Sequence, residues 1–180
     1  MRPVRIYLAA AGPSVWVPID YLESAFAIGF RCTVQNSSTL TYKVQHGFCD
    51  GFQEANGIKM TRSGTTATVT FPVTTANPTH GLSLSDCIMT EGWGAPFDGV
   101  YEIASIPTNL TITFTCANSG LSASTAGNLQ KVFVGDNSVV TGETASVDGN
   151  YAFPPNMIRL YCTAYTSGAV TLSMNQGTGV

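Results

Sequence analysis

The chain has 180 residues, a formal net charge of −3 and only 11% charged residues, against about 25% in an average soluble domain. Eight Lys and Arg spread over that length make no basic footprint for a phosphate backbone, so nucleic acid is not an expected partner. No stretch approaches the ~20 apolar residues of a membrane-spanning helix, and no membrane is expected either.

Residues 1–12 place Arg2 and Arg5 before a run of alanines. The apolar stretch is too short for a secretion signal, and Val4, Ile6 and Leu8 alternate, so a first strand is predicted. Val15, Val17 and Ile19 share the face of a second short strand. Tyr21–Phe26 could hold a single helical turn. Phe26, Ile28, Phe30, Cys32 and Val34 form the next apolar row. Asn36-Ser-Ser38 turns the chain into Leu40, Tyr42, Val44, His46 and Phe48, an antiparallel hairpin partner for the preceding strand.

The stretch Pro78–Cys116 reads as a compact β module. Ala67–Val73 alternates and meets the Asn77-Pro-Thr-His-Gly81 turn, where Pro and Gly interrupt a ladder. Leu82, Leu84 and Ile88 surround Asp86. Asp98-Gly99 suits a tight hairpin leading into Val100–Ile103. Leu110, Ile112, Phe114 and Cys116 then share one face of a strand, with Thr111, Thr113 and Thr115 on the other.

Residues 120–149 are polar and glycine-punctuated, with short apolar pieces at Val132–Val134 and Val139-Val140. Asp148-Gly149-Asn150 reads as a turn before Tyr151–Pro155, whose adjacent prolines confine it to an edge or a turn. Ile158, Leu160, Cys162 and Ala164, then Val170, Leu172 and Met174, make a C-terminal hairpin joined through Thr166-Ser-Gly168. Nothing sustains a helical period over ten residues, so the chain is predicted all-β. The outer strands are too few on either side to close a core separately. An antiparallel, jelly-roll-like β sandwich is therefore expected from residues 1–57 and 121–180, interrupted by a small β barrel at 58–120.

The residues His80-Gly81-Leu82, Ser85-Asp86, Asp98-Gly99-Val100-Tyr101 and Leu110–Phe114 resemble a small barrel module of tailed-bacteriophage head, tail and fibre proteins, with Ser85 where that pattern has glycine. The outer segments Arg5–Gly12, Trp16–Tyr21, Tyr42–His46 and Asp148–Gly168 resemble phage capsid cement or decoration proteins. The resemblance spans about two thirds of the chain. It implies a non-enzymatic virion subunit, made in the host cytoplasm, sitting on the outer capsid surface and contacting the major capsid protein and copies of itself. A tail, fibre or baseplate subunit of the same class is the alternative. A carbohydrate-binding host-attachment module is a further one.

Five cysteines, an odd number without Cys-x-x-Cys spacing, argue against a disulfide framework or a zinc site and suit a reducing compartment. The two histidines, His46 and His80, are better explained by core packing and by turn capping than as ligands. The carboxylates Asp50, Glu54, Asp86, Glu91, Asp98, Glu102, Asp136, Glu143 and Asp148 stand mostly beside glycine, the pattern of turns rather than of a paired-carboxylate hydrolase. No catalytic residue, metal or cofactor is expected. Aromatic side chains are the candidate partner contacts: Trp16, Trp93, Phe97, Tyr161 and Tyr165, with Trp93 in its Gly-Trp-Gly loop the leading one.

Overall fold

The computed structural model describes residues 3–19, 28–49, 57–72, 80–125 and 127–176. The suggested helical turn at Tyr21–Phe26 lies outside the described residues, as do Asp50, Glu54 and Asn77–Thr79 of the Asn77–Gly81 turn. The protein is all-β with antiparallel ladders. It divides into two compact units, Met1–Phe48 with Val134–Val180, and Cys49–Phe133. Of the described residues, Cys49, Gly57, 121–125 and 127–133 fall in the second of these units.

The first unit is a sandwich. One sheet has the order β1 (Pro3–Leu8), β15 (Val170–Gln176), β4 (Ile28–Val34), β13 (Val147–Tyr151). In the other, β14 (Met157–Ser167) pairs with β5 (Thr39–Cys49) and with the two short strands β2 (Gly12–Pro13) and β3 (Val17–Pro18). Alternation dictates the facing rows. Val4, Ile6 and Leu8, Phe30 and Cys32, and Leu172 and Met174 meet Leu40, Tyr42 and Val44 with Ile158, Leu160 and Cys162 in one buried cluster. Cys32 is buried deeply enough that its thiol is pushed up to about 12, so it acts as a small hydrophobe at neutral pH. Cys32, Cys116 and Cys162 are free thiols.

Both expected hairpins turn out to be arches. β4 pairs with β15 and β13, and β5 pairs with β14, so residues 35–38 carry the chain from one sheet to the other. Residues 167–169 do the same between β14 and β15. The reason is that each pair of apolar rows faces the other across the core, whereas a hairpin would set both rows on one face of a single sheet. The two arches pack on each other: Gln35 N donates to Ala169 O at 3.0 Å and Ala169 N donates to Ser38 Oγ at 3.3 Å. A Cβ at Gly168 would lie 2.0 Å from Ser38 Oγ.

β13 corrects another expectation. Asp148-Gly149-Asn150 is strand, in register with Arg31, Phe30 and Gly29. Glycine is needed there because the Phe30 ring lies across it, and a Cβ would come within 2.4 Å of that ring.

The second unit runs β11 (Ala123–Ser124), β6 (Lys59–Ser63), β7 (Thr66–Thr70), β10 (Thr111–Thr115), β9 (Gly99–Thr108), β8 (Cys87–Glu91), β12 (Asn128–Asp136), with β12 continuing into the first unit. β11 and β12 end the path yet are separated by three residues, which span at most about 15 Å. Six ladders at ~4.8 Å would hold the ends of a flat sheet about 29 Å apart. The sheet is therefore strongly curled. Among the described residues no ladder joins β11 to β12, so closure into the expected barrel is not part of the fold described here. Its core gathers Met60, Val69, Ile88, Trp93, Phe97, Ile103, Ile112 and Phe114, with Tyr101 stacked on Phe114 at 4.2 Å.

Ser85, where the resembling pattern has glycine, has φ 67°. A side chain in the left-handed region costs roughly 1–2 kcal/mol. Ser85→Gly is therefore expected to raise the melting temperature by a few degrees, after the unfolded-state entropy of glycine is subtracted; calorimetry checks it, and an unchanged or lower Tm would contradict the strain argument.

Candidate functional site: an aromatic and basic shelf

On β14 the residues opposite the core row are Arg159 and Tyr161. In β5 the corresponding ones are Lys43 and Gln45. The ladder sets Arg159 beside Gln45 and Tyr161 beside Lys43. Trp16 lies between β2 and β3, which run along β14, and this segment is tied down by Ser14 N donating to Leu160 O (2.8 Å) and Leu160 N donating to Ser14 Oγ (3.1 Å).

These side chains are linked to one another. The Arg159 guanidinium lies over the Trp16 ring at 4.4 Å and 5.7 Å from the Tyr161 centroid. Arg159 Nε donates to Gln45 Oε1 (2.8 Å), and Gln45 Nε2 donates to Asp136 Oδ1 (2.8 Å). Lys43 Nζ donates to Asp136 Oδ2 (2.9 Å) and lies 5.3 Å over Tyr161. Burial pushes the Asp136 carboxyl up, but the hydrogen bonds from Gln45 and Lys43 outweigh it and hold it below its ordinary value. Arg159 and Gln45 are buried, while Trp16 and Tyr161 are half-buried. The two rings are thus held by groups that cannot swing freely, and a contact on them loses little side-chain entropy. Desolvated cation–aromatic pairs of this kind contribute up to about 2 kcal/mol each.

Of the expected contacts, Trp16 and Tyr161 come together here. Tyr165 lies further along β14 beyond a register shift, donates to Gly168 O at 3.1 Å, and borders a hollow of about 220 Å3 with Ser38, Thr41 and Thr144. Trp93 and Phe97 are corrections: they are 2% and 0% exposed, inside the second unit's core. The flanking glycines let the loop turn the indole inward, with φ 78° at Gly92 and 82° at Gly94. Trp93 Nε1 donates to Asn128 O at 2.8 Å, and Gly127 is so close that a Cβ would sit 2.5 Å from the ring. Asp98 caps this loop, accepting from Trp93 N (2.7 Å) and Gly94 N (3.0 Å). Gly92–Asp98 is hence a wide loop between β8 and β9 rather than a two-residue turn. Leu84, expected as an apolar position of the module, is by contrast exposed.

Arg159, Gln45, Lys43 and Asp136 escaped the sequence reading. Parity could have found the first three, since each opposes the apolar row of its strand. Asp136 could not be found, as its partners lie 91 and 93 residues away.

His80 Nδ1 accepts from Leu82 N at 3.0 Å, a turn cap. Asp86 Oδ2 accepts from Ser83 N (2.8 Å) and pairs with Lys131 at 2.6 Å. Among the described residues no group of three His, Cys, Asp or Glu is placed to hold a metal ion. No described helix is long and apolar enough to cross a membrane.

His46 is buried among Phe48, Tyr151 and Phe153, with ring centroids 5.2–5.5 Å away. Its Nδ1 has no hydrogen-bond partner among the described residues, and the Gly135 backbone packs against its Nε2 edge. Burial lowers its pKa and the Asp136 charge partly offsets this. The unfolded chain therefore takes up a proton near pH 6.5 that the folded one resists, so stability should fall as pH drops below about 6.5. His46→Phe is expected to flatten the dependence of Tm on pH between about 6.5 and 5; an unchanged slope would assign it to other groups.

No known protein family matches the chain, and neither curated proteins nor solved structures yield a match.

Proposed function

We propose that the protein is a non-enzymatic structural subunit of a tailed-phage particle, a cement or decoration subunit that binds across joints between major capsid protein subunits. The observation that supports this most is the shelf of Trp16, Arg159, Tyr161 and Lys43, because Trp, Tyr and Arg are the residues that anchor protein interfaces when held rigid in a well-packed patch. The weakly charged surface agrees with close packing against neighbours, and the resemblance of the outer segments supports this class of particle. The action is mechanical: added interface area at many joints slows the loss of shell subunits under internal pressure.

The test is add-back of purified protein to heads assembled without it. Wild type should bind at saturating stoichiometry, and Trp16→Ala/Tyr161→Ala should bind about 100-fold more weakly while retaining its melting temperature within a few degrees. Undiminished binding by that variant would contradict the docking role of the shelf. Binding to tails instead of heads would move the protein to the tail, fibre or baseplate.

A further inference from the structure

The β1–β15–β4 sheet belongs to the same unit as the shelf but is its other sheet, and it has an outward face of its own. Alternation points Arg5 and Tyr7 of β1, Thr171 and Ser173 of β15, and Thr33 of β4 away from the core. The ladders order them in two rows: Tyr7 beside Thr171 beside Thr33, and Arg5 beside Ser173 beside Arg31. The middle strand thus offers only short hydroxyl side chains between larger ones. The result is a hollow of about 380 Å3 lined by Arg5, Tyr7, Thr33, Gln35, Thr171 and Ser173.

Three properties define what this hollow can take. Tyr7 is 60% exposed, a large ring lying open on a strand. None of the six lining side chains has a hydrogen-bond or ionic partner among the described residues, so their four hydroxyls, one amide and one guanidinium are all available. Among the described residues of this face the charge is a single cation, because Arg31 is engaged by Asp148 through both carboxylate oxygens at 3.3 Å.

We infer that this face binds an acidic saccharide. The C–H face of a pyranose ring fits the open Tyr7 ring. Hydroxyls that both donate and accept match Thr33, Thr171, Ser173 and the Gln35 amide, which also do both. A carboxylate substituent then pairs with Arg5, bidentate in geometry. A polyanion such as nucleic acid would need a row of cations, and the described residues of this face supply one, Arg5. The hollow's floor is hydroxyl, which suits a polyol better than an apolar side chain. The proposal does not depend on the capsid reading, which rests on the opposite sheet.

The test is NMR titration of the full chain with glucuronate, galacturonate and N-acetylneuraminate up to about 50 mM, well above the roughly millimolar affinity of a small open site. Amide shifts should saturate at Tyr7, Thr33, Thr171 and Ser173. Tyr7→Ala should weaken binding at least about tenfold. Arg5→Gln should reduce it to the level of neutral galactose, which lacks the carboxylate. Trp16→Ala/Tyr161→Ala should leave the titration unchanged, separating this face from the shelf. Absence of saturable shifts with all three sugars, shifts that persist in Tyr7→Ala, or equal affinity for galactose would each overturn the assignment.

Discussion

Gly168→Ala is expected to destabilise the first unit by about 3 kcal/mol or more, enough to lower its melting temperature by 10 °C or so. Two causes act together. The residue has φ 89°, where a Cβ is strained, and that Cβ would lie 2.4 Å from Ser38 Cβ and 2.7 Å from its Cα. The clash is with backbone as well as side chain, so it cannot be relieved by a rotamer change. Relief requires the arches at 35–38 and 167–169 to separate, breaking the hydrogen bonds of Gln35 and Ala169. Denaturant unfolding monitored by circular dichroism measures the loss. A change within about 0.5 kcal/mol would mean that the arches do not pack as described.

Trp93→Ala should be comparably severe in the second unit, costing about 3–5 kcal/mol. The indole fills the core beside Phe97, Ile88 and Leu129, and its removal also leaves Asn128 O without its donor. Loss of cooperative unfolding of Cys49–Phe133, read by hydrogen exchange at β7 and β10, is the expected signature. A mild effect on stability combined with loss of partner binding would restore the view of Trp93 as a surface anchor.

Those two positions show what the sequence makes legible. Alternation finds strands well: Phe30 and Cys32, Tyr42 and Val44, Ile112 and Phe114, and Ile158 and Leu160 all face cores as their parity requires. It says which residues face inward but not which strand lies alongside, and so two arches look like hairpins. Gly149 and Gly168 look like turn glycines in a local reading, yet the groups that demand glycine, Phe30 and Ser38, are over a hundred residues away. Trp93 misleads for a related reason: flanking glycines signal a free loop only if the loop has nothing to fold over, and here the core of the same unit receives it.

The candidate site follows the same rule. Trp16 and Tyr161 are identifiable as large aromatics in weakly charged surroundings, and the opposite parity of Arg159 and Lys43 can be read from the apolar rows. Their assembly cannot, because it depends on β14 lying beside β5 and on Asp136 reaching both Lys43 and Gln45. The outward rows of β1, β15 and β4 pass as ordinary solvent-facing residues until the ladders place Tyr7, Thr171 and Thr33 side by side.

The central proposal, that this chain serves as a repeated structural subunit of a virus shell, is tested most directly by counting it. Quantitative mass spectrometry of purified particles from cells producing the chain should find hundreds of copies per particle, in fixed ratio to the major capsid protein. Tens of copies or fewer, or a chain that remains in the lysate when particles are purified away, would contradict it.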